Sequence, residues 1–190
     1  MPEVVYRNRQ AVSIENEALE VIVTVEGGHI AVIRDKATGV NPLWSPPWPS
    51  IEPSQYDPAR HPEYGGNAES KLLAGILGHN LCLDLFGGPS EEEAAAGMTV
   101  HGEFSVARYA VKAAGDTLTQ SVSAPGAQLA FTRSIRLAAG ARRLDIEETV
   151  ENLSVWDRPA AWTQHVTLGP PFLERGATQF RANATKSKVI

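Results

Sequence analysis

Two histidines stand in contexts suited to proton transfer, His101 in "TVHGEF" and His165 in "AAWTQHVTLGPPFLE". An imidazole with a pKa near ~6.5 holds both protonation states around neutrality, as a group that gives and takes a proton must. Read with period two, Trp162, Gln164, Val166 and Leu168 share one strand face, and Ala161, Thr163, His165 and Thr167 share the other. Trp162 is therefore expected in the core, with His165 on a small polar face. The plainer alternative for each histidine is a strand residue bonded to a backbone group. His101 and Glu103, two apart, would share a strand face as a metal pair. No second histidine has matching spacing, so neither metal nor cofactor is expected. His29, His61 and His79 read as structural or solvated, and Cys82 in "LCLDLF" as a small core residue.

The elements that must hold these residues alternate rather than follow helical spacing. "ALEVIVTVEGG" puts Leu19, Val21, Val23 and Val25 on one face before Gly27 and Gly28. "HIAVIRDKATGVNPLW" reads as a strand, a turn at "KATG" and a return. "QLAFTRSIRL" aligns Leu129, Phe131, Ile135 and Leu137. "RRLDIEETVEN" aligns Leu144, Ile146 and Val150 against Asp145, Glu147, Thr149 and Glu151. Such runs, bounded by Gly, Pro, Asn or Asp, are half-buried antiparallel strands, so the fold class is all-β. Residues 42–66, dense in proline and aromatic residues, do not suit a sheet interior. They read either as a functional loop excursion or as a coil whose Trp44 and Trp48 cover sheet edges. "PSEEEAAAGM" offers Ser90 as an N-cap followed by acids, the signature of one short helix.

The 190 residues suffice for one substantial core and are read as a single domain over 1–190. A net charge of -5, with 17 basic residues in no block or stripe, argues against a nucleic-acid partner. One cysteine permits no internal disulfide and fits a reducing compartment. No apolar run reaches the about 18 residues of a membrane helix, and the first residues lack an apolar signal core, so a cytoplasmic location and no membrane partner are expected. Phosphate-loop, nucleophile-elbow and H-E-x-x-H motifs are absent.

The order of these segments resembles the aldose 1-epimerase, or galactose mutarotase-like, superfamily. An early strand runs into a Gly-Gly turn, a His-Gly pair lies mid-chain at His101-Gly102, and "TVEN" at Thr149 to Asn152 precedes a second histidine, His165. The resemblance implies an antiparallel β-sandwich of the galactose mutarotase-like (supersandwich) type, a small-molecule carbohydrate as partner and interconversion of sugar anomers. His165 would be the acid at the ring oxygen, and His101 would polarise or position it. The arginine that commonly precedes the first histidine in the family is missing from "LGHNLCLDLFGG", which leaves Asn80, Asp84 or Glu103 to contact sugar hydroxyls. Trp48 and Tyr64, with Trp44 and Tyr56, would offer stacking platforms. The family's base is a C-terminal glutamate, and its domains are larger. The chain ends "FRANATKSKVI" without a counterpart, so the resemblance implies an incomplete sandwich. Two rivals follow: a carbohydrate-binding protein without catalysis, and a fragment that forms a homo-oligomer through exposed sheet edges.

Overall fold

Branched residues alternating with polar ones set the strands and their register. A computed structural model describes residues 3–181 and 183–186. The strands are β1 (Glu3–Tyr6), β2 (Arg9–Glu15), β3 (Leu19–Thr24), β4 (Ile30–Asp35), β5 (His79–Asp84), β6 (Ala110–Ala114), β7 (Thr117–Ala124), β8 (Leu129–Arg136), β9 (Asp145–Asn152) and β10 (Ala161–Val166). They form two antiparallel sheets, one of six strands in the order β1-β2-β3-β4-β5-β10 and one of four in the order β6-β7-β8-β9. The fold class is thus the expected all-β sandwich. Among the described residues no helix is long and apolar enough to cross a membrane.

The core lies between the sheets. Val12, Ile14, Leu19, Val21, Val23 and Ile30 meet Leu118, Ile135 and Leu137 at one end. Leu81, Leu83 and Phe104 meet Leu129 and Phe131 at the other. Each such side chain contributes roughly 1.5–3 kcal/mol by leaving water. The six-stranded sheet carries a second apolar layer on its outer face, where Ala11, Ile22, Ala31, Val32 and Leu77 pack together.

The Pro-rich excursion is held by side chains of the first hairpin. Arg9 has no exposed surface; its Nε donates to the Glu52 carboxylate at 2.8 Å, and its other nitrogens reach the Gly75 and Glu26 carbonyls. Arg7 donates to the Pro46 and Trp48 carbonyls at 2.6 and 2.9 Å. The segment is therefore held in place against the first hairpin.

Among the described residues two short α-helices form rather than one. α2 (Glu91–Ala95) starts at the expected cap, where the Glu93 N–H donates to Ser90 Oγ and the Ser90 N–H donates to the Glu93 carboxylate. α1 (Ser70–Gly75) is the addition. Six residues are too few for a periodic signal, and burial of Leu72 and Ala74 holds it in place.

Trp162 corrects a second expectation. It shares the inward face of β10 with Gln164 and Val166, yet it is 47% exposed. Among the described residues β10 pairs only with β5, and β9 only with β8, so both are edge strands. The sandwich is open between them, along a cleft of about 370 Å³ lined by Ile30, Leu43, His79, Ile146, Glu148 and Val166.

Candidate active site

Register brings the second histidine to its neighbours. β10 and β5 pair with His165 opposite Asn80, Thr163 opposite Cys82 and Ala161 opposite Asp84. The period of two turns these residues to the outer face of the six-stranded sheet, while His79, Leu81, Leu83 and Gln164 point inward.

The four residues of "HGEF" divide the work of a tight turn. Phe104 is fully buried against Leu81, Leu83 and Phe131 and anchors it. Gly102 has φ of +82°, and a Cβ there would sit 2.5 Å from the Leu83 carbonyl, so only glycine lets the turn lie this close to β5. Glu103 opens a 3-10 turn (Glu103–Ser105), and its carboxylate accepts the Ala127 N–H at 2.7 Å and the Gly126 N–H at 3.4 Å. His101, at φ +65°, is left half-buried facing β10. The shared strand face expected for His101 and Glu103 does not form, because both lie in turns.

The His101 and His165 rings lie 5.5 Å apart between centroids, tilted by 36°. Phe86, 57% exposed, sits 5.0 Å from His101 and 6.4 Å from His165. A backbone exchange with Gly87 fixes His101: its N–H donates to the Gly87 carbonyl at 3.0 Å, and the Gly87 N–H donates to His101 Nδ1 at 3.1 Å. The neutral ring therefore carries its proton on Nε2. Burial lowers the His101 pKa and the neighbouring His165 lowers it further, while the Glu69 carboxylate, just before α1, pulls the other way. The His165 Nδ1 atom is buried without a partner, and so is Asn80 Oδ1.

The remaining candidates from the sequence fall in different places. Asn80 joins the histidines but has no exposed surface, and its Nδ2 is 3.7 Å from Cys82 Sγ. Asp84, at the end of β5, is paired with Arg158, whose other nitrogen donates to the Ala127 carbonyl. Trp48 and Tyr64 lie in the Pro-rich excursion: Trp48 Nε1 donates to the Leu73 carbonyl at 3.1 Å, and the buried Tyr64 hydroxyl donates to the Pro49 carbonyl at 2.7 Å. Phe86 and Glu69 are additions; Phe86 had a signal in the break "DLFGG" directly after an apolar strand. Burial pushes the Cys82 thiol up to about 11, which makes it inert. Among the described residues no group of three or more His, Cys, Asp or Glu is placed to hold a metal ion.

A second polar cluster occupies the inner face. Arg133, fully buried on β8, donates through Nε to Glu148 of β9 at 2.7 Å and through Nη1 to the Gly28 carbonyl at 3.0 Å and to Gln120 at 3.2 Å. Gln164 donates to the same Glu148, and its carbonyl meets His79 Nε2 at 2.5 Å. A larger cleft of about 640 Å³ lies across the molecule between β1, β2 and β6, lined by Val4, Val12, Val111 and Arg108. It holds no pair of imidazoles, so cleft size does not single out the chemistry.

No protein-family model and no curated protein matches the chain. Among solved structures it is similar to a galactose mutarotase-like protein from Lactobacillus casei, at 15% identity and a TM-score of 0.47 over 75% of this chain and 44% of that one. It is also similar to a galactose mutarotase related enzyme from Lactobacillus acidophilus, at 12% identity and a TM-score of 0.42 over 67% of this chain and 39% of that one. The chain spans less than half the length of either of these galactose mutarotase-like structures.

Proposed function

We propose that the chain binds a free aldose or a related carbohydrate over His101, His165 and Phe86 and interconverts its anomers by acid–base catalysis. The observation that carries this reading is the approach of two half-buried imidazoles, distant in sequence, to 5.5 Å beside an exposed aromatic ring. The sequence resemblance supports it independently.

In the reaction, the C1–O5 bond of the sugar breaks and its electron pair goes to O5, which takes a proton from the His165 imidazolium. The O1 proton passes to a base, and C1 becomes an aldehyde. Rotation about C1–C2 and closure on the other face return both protons. Solvent water is the candidate base, and the Glu69 charge acts on His101 by favouring its protonated form. His101 donates a hydrogen bond from Nε2 to a sugar oxygen and remains neutral, because burial disfavours its charged form. Phe86 supplies the apolar face on which the C–H side of a pyranose stacks.

Polarimetry on freshly dissolved α-glucose or α-galactose tests this. Accelerated decay to the equilibrium rotation supports the epimerase, and binding in a calorimeter at the uncatalysed decay rate supports a carbohydrate-binding protein instead. A second reading, self-association, draws on the exposed apolar side chains Ile146, Trp162, Val166, Leu168 and Phe172 along the open side of the sandwich. Sedimentation as a dimer without sugar binding would favour it.

A further inference from the structure

We propose that His101 is a pH-sensitive clasp: its neutral ring closes the neck of the segment 88–98 beside the histidine pair, and a proton on Nδ1 opens it. The device goes beyond the acid–base reading above and does not depend on it.

The segment leaves the body after Gly87, carries α2 and returns at Thr99. None of its residues is buried, and Pro89 and Met98 alone are half-buried. Among the described residues, every hydrogen bond made by residues 88–98 stays within the segment, in the Ser90–Glu93 cap and the turns of α2. A stretch with no buried side chain opens at low cost. Two bonds tie its neck: the His101 N–H donates to the Gly87 carbonyl at 3.0 Å, and the Gly87 N–H donates to His101 Nδ1 at 3.1 Å.

The second bond requires a lone pair on Nδ1. The neutral ring has its proton on Nε2, so the next proton goes to Nδ1. It removes the acceptor and sets Nδ1–H against the Gly87 N–H, two donors with nothing to share. Nε2–H is unchanged by this step, so protonation acts on the neck and not on the hydrogen bond the ring offers outward. Phe86, next to Gly87 in the chain and 5.0 Å from the His101 ring, moves with the neck. Acid thus opens the segment and displaces the exposed aromatic ring together.

The charges around the ring set the direction. Burial and His165 on β10 disfavour the imidazolium, and Glu69 ahead of α1 favours it. The other acids of these elements are engaged or solvated. Glu103 accepts the Gly126 and Ala127 N–H groups, Asp84 at the end of β5 is paired with Arg158, and Glu93 accepts the Ser90 N–H. Glu91 and Glu92 are exposed on α2. The clasp is closed at neutral pH and opens below about pH 6.5, the ordinary histidine value.

Amide hydrogen exchange read by NMR from pH 8 to pH 5, with the His101 ring followed in the same samples, tests this without any sugar. Protection of the Gly87 amide, relative to the free-peptide rate at each pH, should fall by roughly fivefold or more, the worth of one hydrogen bond. The midpoint of that fall should coincide with the titration of the His101 ring. In His101→Asn the side-chain oxygen stands in for Nδ1, suits the positive φ and has no proton to gain, so Gly87 protection should not change with pH. Constant protection while the wild-type ring titrates would overturn the proposal, as would an equal fall in His101→Asn. Should His101→Asn fail to fold, agreement or disagreement of the two wild-type midpoints decides.

Discussion

β5 and β10 carry two histidine clusters on opposite faces, built from adjacent residues. On the inner face His79 and Gln164 join Glu148, Arg133 and Gln120 in a chain of hydrogen bonds that includes an ion pair between half-buried Glu148 and fully buried Arg133. On the outer face, one residue further along each strand, Asn80 and His165 leave polar atoms unpaired beside the His101 ring. The inner groups are bonded side chain to side chain, which fixes their geometry even though His79 Nδ1, Gln120 Nε2 and Arg133 Nη2 stay buried without partners. The outer group has no such links between Asn80, His101 and His165, and it keeps two imidazole Nε2 atoms available.

The largest effect that sharpens this contrast is on the inner face. Arg133→Ala removes a fully buried guanidinium together with its bonds to Glu148, Gln120 and the Gly28 carbonyl, and should cost about 3–5 kcal/mol in urea unfolding. An unchanged midpoint would mean the pair contributes nothing. The pH dependence of stability comes next. Burial, with help from the Arg133 charge, lowers the His79 pKa to about 4 in the folded state, against ~6.5 unfolded. The unfolded chain therefore binds the extra proton first as the pH falls. Stability from this group is complete above about pH 6.5 and declines towards pH 4, on the order of 3 kcal/mol in all. His79→Gln should flatten that part of the curve; denaturation midpoints at both ends of the window check it. His29, wholly buried and lowered to about 3, adds a decline in the same direction that persists in this variant.

Effects on the outer face concern binding rather than stability. Phe86→Ala should weaken sugar binding by up to about tenfold, the worth of one aromatic contact, with the unfolding midpoint unmoved. Unchanged affinity in a calorimeter removes Phe86 from the binding face. Smallest is the open side of the sandwich: Trp162→Lys, on an already exposed position, should change stability by no more than about 0.5 kcal/mol. In sedimentation it should also disperse any dimer formed through that side.

Period-two reading placed most strands because half-buried faces leave that trace directly in residue order; Leu129, Phe131, Ile135 and Leu137 are all buried as expected. The same reading assigned Trp162 to the right face and the wrong environment. Alternation says which residues share a face, but not whether another sheet covers it. It also passed over Arg133 and Glu148, which interrupt apolar faces and become intelligible only when β8 and β9 pair. The two histidines were legible because each lies in a short context with a glycine or a turn close by. The orientation of Trp48 and Tyr64 was not, since an irregular loop has no period to say which way a ring turns. Phe86 owes its place to the break after β5, a feature of chain direction rather than of composition.

The central claim is that His165 moves a proton on a sugar bound outside the six-stranded sheet. Polarimetric decay of fresh α-galactose, with wild type and His165→Ala compared at equal concentration, addresses it most directly. The account predicts accelerated decay for the wild type, a fall by about 10²- to 10⁴-fold in the variant, and the same unfolding midpoint for both. Equal acceleration by the two proteins, or none by either, would contradict it.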